Sequence, residues 1–595
     1  MCGICGELRF DSQPPDPAVI ARMNQALRRR GPDHEGVWHD GALAFGQRRL
    51  AVIDLSPAAN QPMVDEQLGL AIVFNGTIYN HGELQKELAG LGYRFFSSGD
   101  TEVILKAYHR WGRACVERLR GMFAFALWDR NARRLFLARD RMGIKPLYWT
   151  TGAGYLRFAS STQALLAAGG VDCAIDRVAL HHLFTLHAVV PAPRTILAGM
   201  HKLAPATTLT IEANGAQQSH GYWQLDACRP PLPRTEQEWT EAVHTTLREA
   251  VAQHRAVADV PVGVLLSGGL DSSLLVGLLA EAGGAKPITF SIGFEDTPEE
   301  KGSEFAYSDL VVERFQTDHH RSTIPNREVL ERLPEAVAEM AEPMFGQDAV
   351  AFYLLAERVS KEIKVVQSGQ GADELFGGYF WYPQMAAATG TPLERFRNHY
   401  FDRDHAEYLE TVTPPFHGAD DTATYIEAGL ARPHADTFID QVLRLDITTL
   451  IVDDPVKRVD NMTMAWGVEA RVPFLDHHLV ELVAALPPEL KLNSGGKHVL
   501  KQIARGLLPD AVIDRPKGYF PVPALKYVRG EFLGFMRDIL TSGACINRGL
   551  YQRAYVEKLL NAPEQHLTRI QGSKLWHLAA LELWLEVTVD NREIH

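Results

Sequence analysis

The stretch from Val260 to Glu281 constrains the fold more than any other part of this 595-residue chain. An apolar run, Val260–Leu266, leads directly into Ser267-Gly-Gly-Leu-Asp-Ser-Ser273, and a helical pattern then continues to Glu281. A buried strand, a glycine loop and a helix in this order are typical of a parallel α/β sheet. The backbone N–H groups of such a loop, together with the N-terminus of its helix, attract anions. We therefore predict a parallel sheet with an anion site at the carboxyl end of its first strand.

Two further apolar segments extend this predicted sheet. Ile288–Phe294 and Ile363–Gln367 both read as strands, and the patterns beyond about residue 385 are mostly helical. The first 210 residues or so differ, because short strand patterns separated by Gly and Asn alternate there with helical patterns such as Glu102–Trp111. The Pro-rich segment Cys228-Arg-Pro-Pro-Leu-Pro-Arg-Thr235 is typical of a linker and separates these two parts of the chain. We expect one domain over residues 2–225, a linker over 226–235 and a second domain over 236–590.

Composition excludes several classes of protein. The net charge of −13 argues against a general binder of nucleic acid or anionic membranes. Six cysteines are too few for a disulfide framework and favour a reducing compartment. No signal-peptide pattern and no apolar run of about 20 residues is visible. We expect a cytoplasmic protein that acts on small molecules and binds neither nucleic acid nor membrane; the oligomeric state stays open, with a homodimer as one option.

The amino terminus, Met1-Cys2-Gly3-Ile4-Cys5-Gly6, offers a nucleophile. Removal of Met1 would give Cys2 a free α-amine, whose ordinary pKa of about 7.7–8.0 suits a general base. A thiol activated in this way can attack a carboxamide. Taken alone, a cysteine near a terminus is an incidental small apolar residue about as often as it is a nucleophile. The pair Cys2 and Cys5 lacks partners at zinc spacing, so we expect no metal site there.

Five ordered motifs favour the catalytic interpretation of Cys2. They are Arg30-Gly-Pro-Asp33, Arg49-Leu-Ala-Val-Ile-Asp54, Asn75-Gly-Thr-Ile-Tyr-Asn80, Ser98-Gly-Asp-Thr-Glu102 and Ala138-Arg-Asp-Arg-Met-Gly-Ile-Lys-Pro-Leu-Tyr148. Over residues 2–225 the chain resembles the class II glutamine amidotransferase domain, an N-terminal-nucleophile fold. The resemblance implies an αββα sandwich that releases ammonia from glutamine.

The same resemblance implies a role for each matching residue. Asn75 and the backbone N–H of Gly76 would form the oxyanion hole beside Cys2. Arg49 would bind the α-carboxylate of glutamine as a bidentate fork, and Asp100 would pair with its α-ammonium. The remaining glutamine-binding positions are Leu50, Val52, Ile53 and Thr77. The family usually has Glu at the last of these positions, which puts a ligand contact by the Thr77 side chain in doubt.

The second half carries its own ordered set of motifs. The complete string Ser267–Ser273 resembles the pyrophosphate loop of ATP pyrophosphatases, which release AMP and pyrophosphate. Further motifs are Ser368-Gly-Gln-Gly-Ala-Asp-Glu-Leu-Phe-Gly-Gly-Tyr379, Asp460-Asn-Met-Thr-Met464, Glu469-Ala-Arg-Val-Pro-Phe-Leu-Asp476 and Arg515-Pro-Lys-Gly-Tyr-Phe-Pro521. Across about residues 235–590 this set resembles the asparagine synthetase domain, a Rossmann-like parallel α/β fold with a helical C-terminal part.

This second resemblance implies an ATP site with Mg²⁺. Asp271 and Asp373 would carry the metal, and Lys517 would neutralise charge that develops on the α-phosphate. The implied ATP-binding residues are Leu265, Leu266, Ser267, Gly268, Gly269, Asp271, Ser272, Ser273, Ile292, Ser368 and Gly369. Gln370 and Asp373 would face the carboxylate acceptor. The whole chain then resembles a glutamine-dependent amidotransferase, in which an apolar passage at the domain interface brings ammonia to an acyl-adenylate.

Two features argue for an acceptor other than aspartate. Gln370 stands where the family usually has Glu, and glutamine is neither a base nor a repelling charge. The strings His181-His-Leu-Phe-Thr-Leu-His-Ala-Val-Val-Pro-Ala-Pro193, Tyr379-Phe-Trp-Tyr-Pro383 and Tyr519-Phe-Pro-Val-Pro-Ala-Leu-Lys526 resemble the N-acetylglutaminylglutamine amidotransferase subgroup. That subgroup makes the C-terminal amide of an acetylated dipeptide, a compatible solute. Aromatic residues 379–382 could line a roomier acceptor pocket, although we expect at least half of them to serve only packing.

Three alternatives remain at the level of sequence. The chain could be an asparagine synthetase that tolerates Gln370, or an amidotransferase for another carboxylate such as a peptide. It could also be a non-catalytic sensor of glutamine or nucleotide. An intact set of candidate catalytic residues counts against the sensor, because a binding module needs no nucleophile; the set is Cys2, Arg49, Asp271, Asp373 and Lys517.

Overall fold

A computed structural model describes residues 2–298, 301–515 and 522–591. The first part of the chain forms two six-stranded antiparallel sheets. The strands are β1 (Cys2–Arg9), β2 (His34–Asp40), β3 (Leu43–Arg49), β4 (Met63–Asp65), β5 (Leu70–Ile78), β6 (Gly121–Asp129), β7 (Arg134–Arg139), β8 (Tyr148–Gly152), β9 (Tyr155–Ala159), β10 (His201–Lys202), β11 (Thr207–Glu212) and β12 (Gln217–Gly221). One sheet has the order β10-β8-β9-β1-β3-β2 and the other β12-β11-β7-β6-β5-β4.

The alternation of side chains along each strand explains the layering. Ile4 and Phe45 of the first sheet pack against Val73 and Ala124 of the second. The opposite faces are covered by helices α1 (Pro17–Ala26), α2 (His81–Gly90), α3 (Asp100–Trp111), α4 (Cys115–Arg118) and α5 (Thr162–Ala168). Helix α6 (Arg177–Thr185) follows and packs against helices of the second half. The result is an αββα sandwich, as the resemblance implied.

The second part is built on a five-stranded parallel sheet. Its strands are β13 (Val262–Leu265), β14 (Ile288–Phe294), β15 (Asp318–Ile324), β16 (Val365–Gln367) and β17 (Glu469–Arg471), in the order β15-β14-β13-β16-β17. The strand order reverses at β13, whose parallel neighbours are β14 and β16. A crevice at such a switch point is the usual ligand site of an open parallel sheet.

Helices surround this sheet and make up most of the remainder. They are α7 (Glu236–Ala256), α8 (Leu270–Glu281), α9 (Phe305–Phe315), α10 (Asn326–Ala338), α11 (Asp348–Ser360), α12 (Ala372–Phe376), α13 (Trp381–Ala387), α14 (Pro392–Tyr400), α15 (His405–Thr411), α16 (Asp421–Leu430), α17 (Phe438–Leu445), α18 (Lys457–Met464), α19 (His477–Ala484), α20 (Pro488–Leu492), α21 (His498–Ala504), α22 (Asp510–Ile513), α23 (Pro523–Lys526), α24 (Gly530–Leu540), α25 (Gly543–Arg548), α26 (Arg553–Asn561) and α27 (Lys574–Trp584). Two π-helical turns, Asp446–Leu450 and Val452–Val456, widen the path from α17 to α18. Such turns are frequent at functional sites. Among the described residues, the helices are either too short or too polar to traverse a bilayer.

The predicted linker contains no helix and no strand of its own. It forms a single bridge, Ala227 to Ala435, before the capping box of Thr235 and Glu238 starts α7. The apolar core nevertheless continues across the two parts, since Met142 and Val468 belong to one cluster of buried side chains. The two halves therefore pack against each other through a buried interface, while the exact domain boundaries stay predictions.

Candidate active site

Cys2 is the first residue of β1 and lies opposite Arg49 of β3. Its backbone N–H donates to Asn75 Oδ1 at 3.1 Å, and its carbonyl accepts from Arg30 Nε at 3.4 Å. Burial raises the pKa of the Cys2 thiol, while the backbone N–H of Leu50 and the charge of Arg49 act in the opposite sense. A buried thiol of this kind needs a base beside it. Met1 lies outside the described residues, so the free α-amine of Cys2 stays a prediction.

Asn75 and Gly76 occupy the positions expected of an oxyanion hole. The side-chain amide nitrogen of Asn75 is fully buried and has no hydrogen-bond partner among the described residues. Leaving such a donor unpaired costs about 1–3 kcal/mol, which points to a missing acceptor. A Cβ on Gly76 would lie 2.2 Å from the carbonyl oxygen of Met122, so only glycine fits there. The structure thus brings a spare donor next to the predicted nucleophile.

The predicted glutamine-binding residues surround the same point. Arg49 is buried and donates to the carbonyl of Ser56 at 3.1 Å and to Asn60 Oδ1 at 2.7 Å, which holds its guanidinium in place. Asp100 starts α3 and accepts from the backbone N–H of Ile78 at 2.9 Å, and burial raises the pKa of its carboxyl. The loop that follows β3 carries the remaining predicted positions, of which Leu50 and Val52 are buried and Ile53 is half-buried.

Thr77 contacts a residue from the second half of the chain. Its hydroxyl donates to Glu469 Oε1 at 3.1 Å, although the two residues are 392 positions apart. Burial alone would raise the pKa of Glu469, but the guanidinium of Arg471 lowers it to about 2. Arg471 Nε contacts the same carboxylate oxygen at 2.5 Å. The second half of the chain therefore brings a buried carboxylate to the position where the family usually has Glu in the first half.

A second ionic contact joins the halves directly behind Cys2. Asp460 accepts from Arg30 Nη2 at 2.9 Å and from Lys145 Nζ at 3.0 Å, and all three side chains are buried. Burial alone would raise the pKa of Asp460, but the two cations lower it. Each of these residues belongs to a motif whose role the sequence left unassigned. Their pairing could not be read from the sequence, because it depends on how the two halves pack.

The nucleotide-site predictions converge on one cavity of about 480 Å³ at the switch point of the parallel sheet. Its walls include these predicted residues: Leu265, Leu266, Ser267, Gly269, Asp271, Ser272, Ile292, Ser368 and Gly369. Gly268 and Ser273 do not line it. Gly268 has φ +81°, and a Cβ there would lie 2.7 Å from the backbone nitrogen of Ser308, so glycine is required for the turn. Ser273 is fully buried in α8.

The two predicted metal ligands meet at Lys497. Its ammonium lies 2.6 Å from Asp271 Oδ2 and 2.7 Å from Asp373 Oδ1. The carboxylates therefore converge on a single point, and two hard oxygen ligands beside a phosphate site fit Mg²⁺. Sequence reasoning missed Lys497, whose only local signal is the preceding Gly495 and Gly496. The predicted Lys517 lies outside the described residues.

A second cavity, of about 180 Å³, adjoins the first on the acceptor side. Both are lined by Asp348, Tyr379 and Arg458, so they meet at these side chains, and Gln370 and Asp373 line the first cavity. In the aromatic string 379–382, Tyr379 and Trp381 line the second cavity, whereas the other two rings pack in the adjoining apolar cluster. As expected, only part of this string borders a cavity.

Comparisons with known proteins match two family models to the chain. Residues 242–586 match the asparagine synthase family model, and residues 1–223 match the glutamine amidotransferase domain. Asparagine synthetase [glutamine-hydrolyzing] 1 of Bacillus subtilis is 31% identical over 100% of this chain and 98% of its own length. A putative asparagine synthetase [glutamine-hydrolyzing] of Mycobacterium tuberculosis is 32% identical over 99% and 98%. Amidase chry2 of Gibberella zeae is 28% identical over 92% and 93%.

Proposed function

The chain belongs to the asparagine synthase family and is a glutamine-dependent amidotransferase, and on that premise we propose which carboxylate it amidates. The proposed acceptor is N-acetylglutaminylglutamine, which is converted into its C-terminal amide. Aspartate is the alternative acceptor, favoured by the names of the relatives. The proposal has two parts, the shared amidation chemistry and the choice of acceptor.

In the first step, the Cys2 thiol attacks the side-chain carboxamide of glutamine, with Arg49 and Asp100 holding the substrate. The spare amide N–H of Asn75 stabilises the oxyanion as ammonia leaves, and water then releases glutamate from the thioester. The free α-amine of Cys2 serves as the base. The two halves pack against each other through a buried interface, which supports transfer of ammonia inside the protein. The apolar passage itself stays a prediction.

In the second step, the acceptor carboxylate attacks the α-phosphorus of ATP, pyrophosphate leaves, and ammonia displaces AMP from the acyl-adenylate. Asp271 and Asp373 would hold Mg²⁺, which neutralises phosphate charge when bound. The loop at Ser267 and the N-terminus of α8 supply N–H donors for the phosphates. Lys497 adds positive charge between the two carboxylates, and Lys517 stays a predicted second cation.

One observation carries the choice of acceptor. The second cavity is lined by four carboxylic side chains, Asp348, Glu374, Asp446 and Asp454, and by three basic ones, His187, Arg458 and Lys526. Burial raises the pKa of Glu374 to about 8 and that of Asp446 to about 7. Aspartate would bring two carboxylates and an ammonium into this poorly hydrated space, and removing three charged groups from water costs more free energy than removing one. An N-acylated dipeptide has one carboxylate and otherwise neutral amides, and Gln370 adds no charge against it.

An acceptor panel tests the proposal. Purified enzyme receives glutamine and Mg-ATP with aspartate, N-acetylglutaminylglutamine or its unacetylated dipeptide, and pyrophosphate and product mass are measured. The proposal predicts amidated product from the acetylated dipeptide and at most trace asparagine. Asparagine formation from aspartate, with no product from the dipeptide, would contradict the choice of acceptor and leave the amidation chemistry intact.

A further inference from the structure

The wall of the second cavity carries a histidine that the amidation chemistry does not use. His187 lines this cavity, and its Nδ1 donates to Asp402 Oδ2 at 3.0 Å. The carboxylate is fully buried, and the same oxygen lies 3.6 Å from Nδ1 of His577, which is beyond hydrogen-bond distance. The opposite nitrogen of His187, Nε2, makes no hydrogen bond within the described part of the chain. An Asp-bound imidazole of this kind has a defined orientation and one nitrogen left for a ligand.

The backbone is strained at His187 and at the residue that follows it. His187 has φ +54° and the next residue, Ala188, has φ +66°. Two consecutive non-glycine residues in the left-handed region are uncommon and cost energy that surrounding contacts must offset. Strain of this kind clusters at ligand-binding sites.

Two donors on the same cavity wall lack partners. Trp381 Nε1 and Arg458 Nε are buried and have no hydrogen-bond partner among the described residues. Trp381 is 6% exposed and Arg458 is 7% exposed. The two terminal nitrogens of Arg458 are already paired, Nη2 with Asp348 Oδ2 at 3.1 Å and Nη1 with Asp454. Buried donors without partners are rare. The same cavity wall also carries two stacked aromatic rings, Tyr379 and Trp381, whose centroids lie 4.2 Å apart.

Taken together, these groups match the chemistry of amides. A peptide or side-chain amide presents carbonyl oxygens for the two spare donors and an N–H or carbonyl for His187 Nε2. Flat amide groups also pack well against aromatic rings. The cavity opens beside Asp373 and Gln370 through the shared wall at Tyr379, so a ligand seated in it can direct a carboxylate toward the nucleotide.

We propose that the second cavity is a recognition subsite for the amide-bearing body of the acceptor, with His187 held by Asp402 as its specificity-determining residue. This inference rests on the proposed function, because it takes the N-acylated dipeptide as the acceptor. His187 acts on binding and takes no part in adenylylation or in glutamine hydrolysis. Trp381 and Arg458 are its partners in recognising carbonyl groups.

The test compares long and short acceptors in wild-type enzyme and in His187→Ala. The long acceptor is N-acetylglutaminylglutamine, and the short one is N-acetylglutamine, which lacks one residue of the amide-bearing body. Loss of one hydrogen bond should raise KM for the long acceptor about 3- to 10-fold with kcat nearly unchanged. KM for the short acceptor should stay within about 2-fold, because it cannot reach the subsite and the catalytic groups at once. Glutamine hydrolysis should not change.

Two more variants complete the experiment. His187→Gln restores a polar group of similar reach, so it should recover most of the affinity, whereas a merely structural role would give no such rescue. His405→Ala is the matched control, since this half-buried histidine bonds to His181 and does not line the cavity. If His187→Ala fails to fold, Trp381→Phe removes the indole N–H together with the pyrrole ring and keeps an aromatic ring at this position, and we expect the same selective rise in KM.

Three results would overturn the inference. Equal KM effects on both acceptors would make His187 structural, and an unchanged KM for the long acceptor would remove it from recognition. In both cases the dipeptide is still amidated by wild-type enzyme, so the proposed function stands. If the wild-type enzyme does not amidate the dipeptide, the proposed acceptor and the subsite fall together.

Discussion

Asn75 offers the sharpest single test of the first active site. Its Oδ1 accepts from the backbone N–H of Cys2 at 3.1 Å, while its buried amide nitrogen has no partner among the described residues. The change to make is Asn75→Ala, which removes both groups. Two separate consequences follow, one for stability and one for catalysis.

The stability effect comes from the lost acceptor. The nitrogen of Cys2, which becomes the α-amine once Met1 is removed, loses its buried acceptor, and this costs about 1–3 kcal/mol. The catalytic effect comes from the lost donor, because removal of one oxyanion-hole donor lowers kcat by about 10²–10³-fold, or about 2.7–4 kcal/mol. The donor acts only once the oxyanion forms, so we expect the loss in kcat with little change in KM for glutamine.

The assay measures glutamate release from glutamine and, separately, amide synthesis with ammonium chloride as the nitrogen source. Asn75→Ala should lose the first activity and keep the second within about 3-fold, since the ammonia route bypasses Cys2. Asn80→Ala is the control: it is the same residue type in the same half, but both ends of its side-chain amide are bonded to backbone, at Arg118 and Arg120. Glutaminase activity within 3-fold of wild type in Asn75→Ala would refute the oxyanion-hole assignment. A parallel loss of both activities would show a general structural defect.

Three further predictions concern the second half of the chain. Lys497→Met should lower pyrophosphate release at least about 100-fold while glutamine hydrolysis persists, because Asp271 and Asp373 would lose the cation that they share. Equal loss of both activities would contradict this assignment. Gln370→Glu should lower kcat/KM for the acetylated dipeptide about 10-fold, measured by pyrophosphate release, because this acceptor has no ammonium to pair with the new charge. Burial alone would raise the pKa of Glu469, but Arg471 lowers it to about 2. The stabilising contribution of Glu469 is therefore present above about pH 4.5 and is lost as the pH falls toward 2. Wild-type stability should therefore decline by on the order of 3 kcal/mol across that window in urea titrations, and an equally steep decline in Glu469→Gln would refute the assignment.

The sequence predicted the architecture well where local patterns decide it. The apolar run before Ser267 became β13, and Ile288–Phe294 became β14 with the same bounds. The short strand patterns in the first 210 residues indicated a strand-rich half, although not the order of the strands in its two sheets. Strand order depends on contacts between distant segments, which carry no local signal.

The site was predictable only where motifs are contiguous. Nearly all predicted nucleotide residues line one cavity because they sit in loops at one edge of a parallel sheet. The contacts of Thr77 with Glu469 and of Lys145 with Asp460 join residues more than 300 positions apart, so no spacing rule could reveal them. Lys497 escaped notice for a related reason, since an isolated lysine usually lies on the surface and only the fold places it between two carboxylates.

Nitrogen transfer between the two sites tests the central claim most directly. The enzyme would receive glutamine labelled with ¹⁵N in its side-chain amide, Mg-ATP and N-acetylglutaminylglutamine, in the presence of excess unlabelled ammonium. The account predicts a dipeptide amide that retains the label, with glutamate, AMP and pyrophosphate formed in equal amounts. Product that carries mainly unlabelled nitrogen, or ATP cleaved to ADP and phosphate, would contradict it.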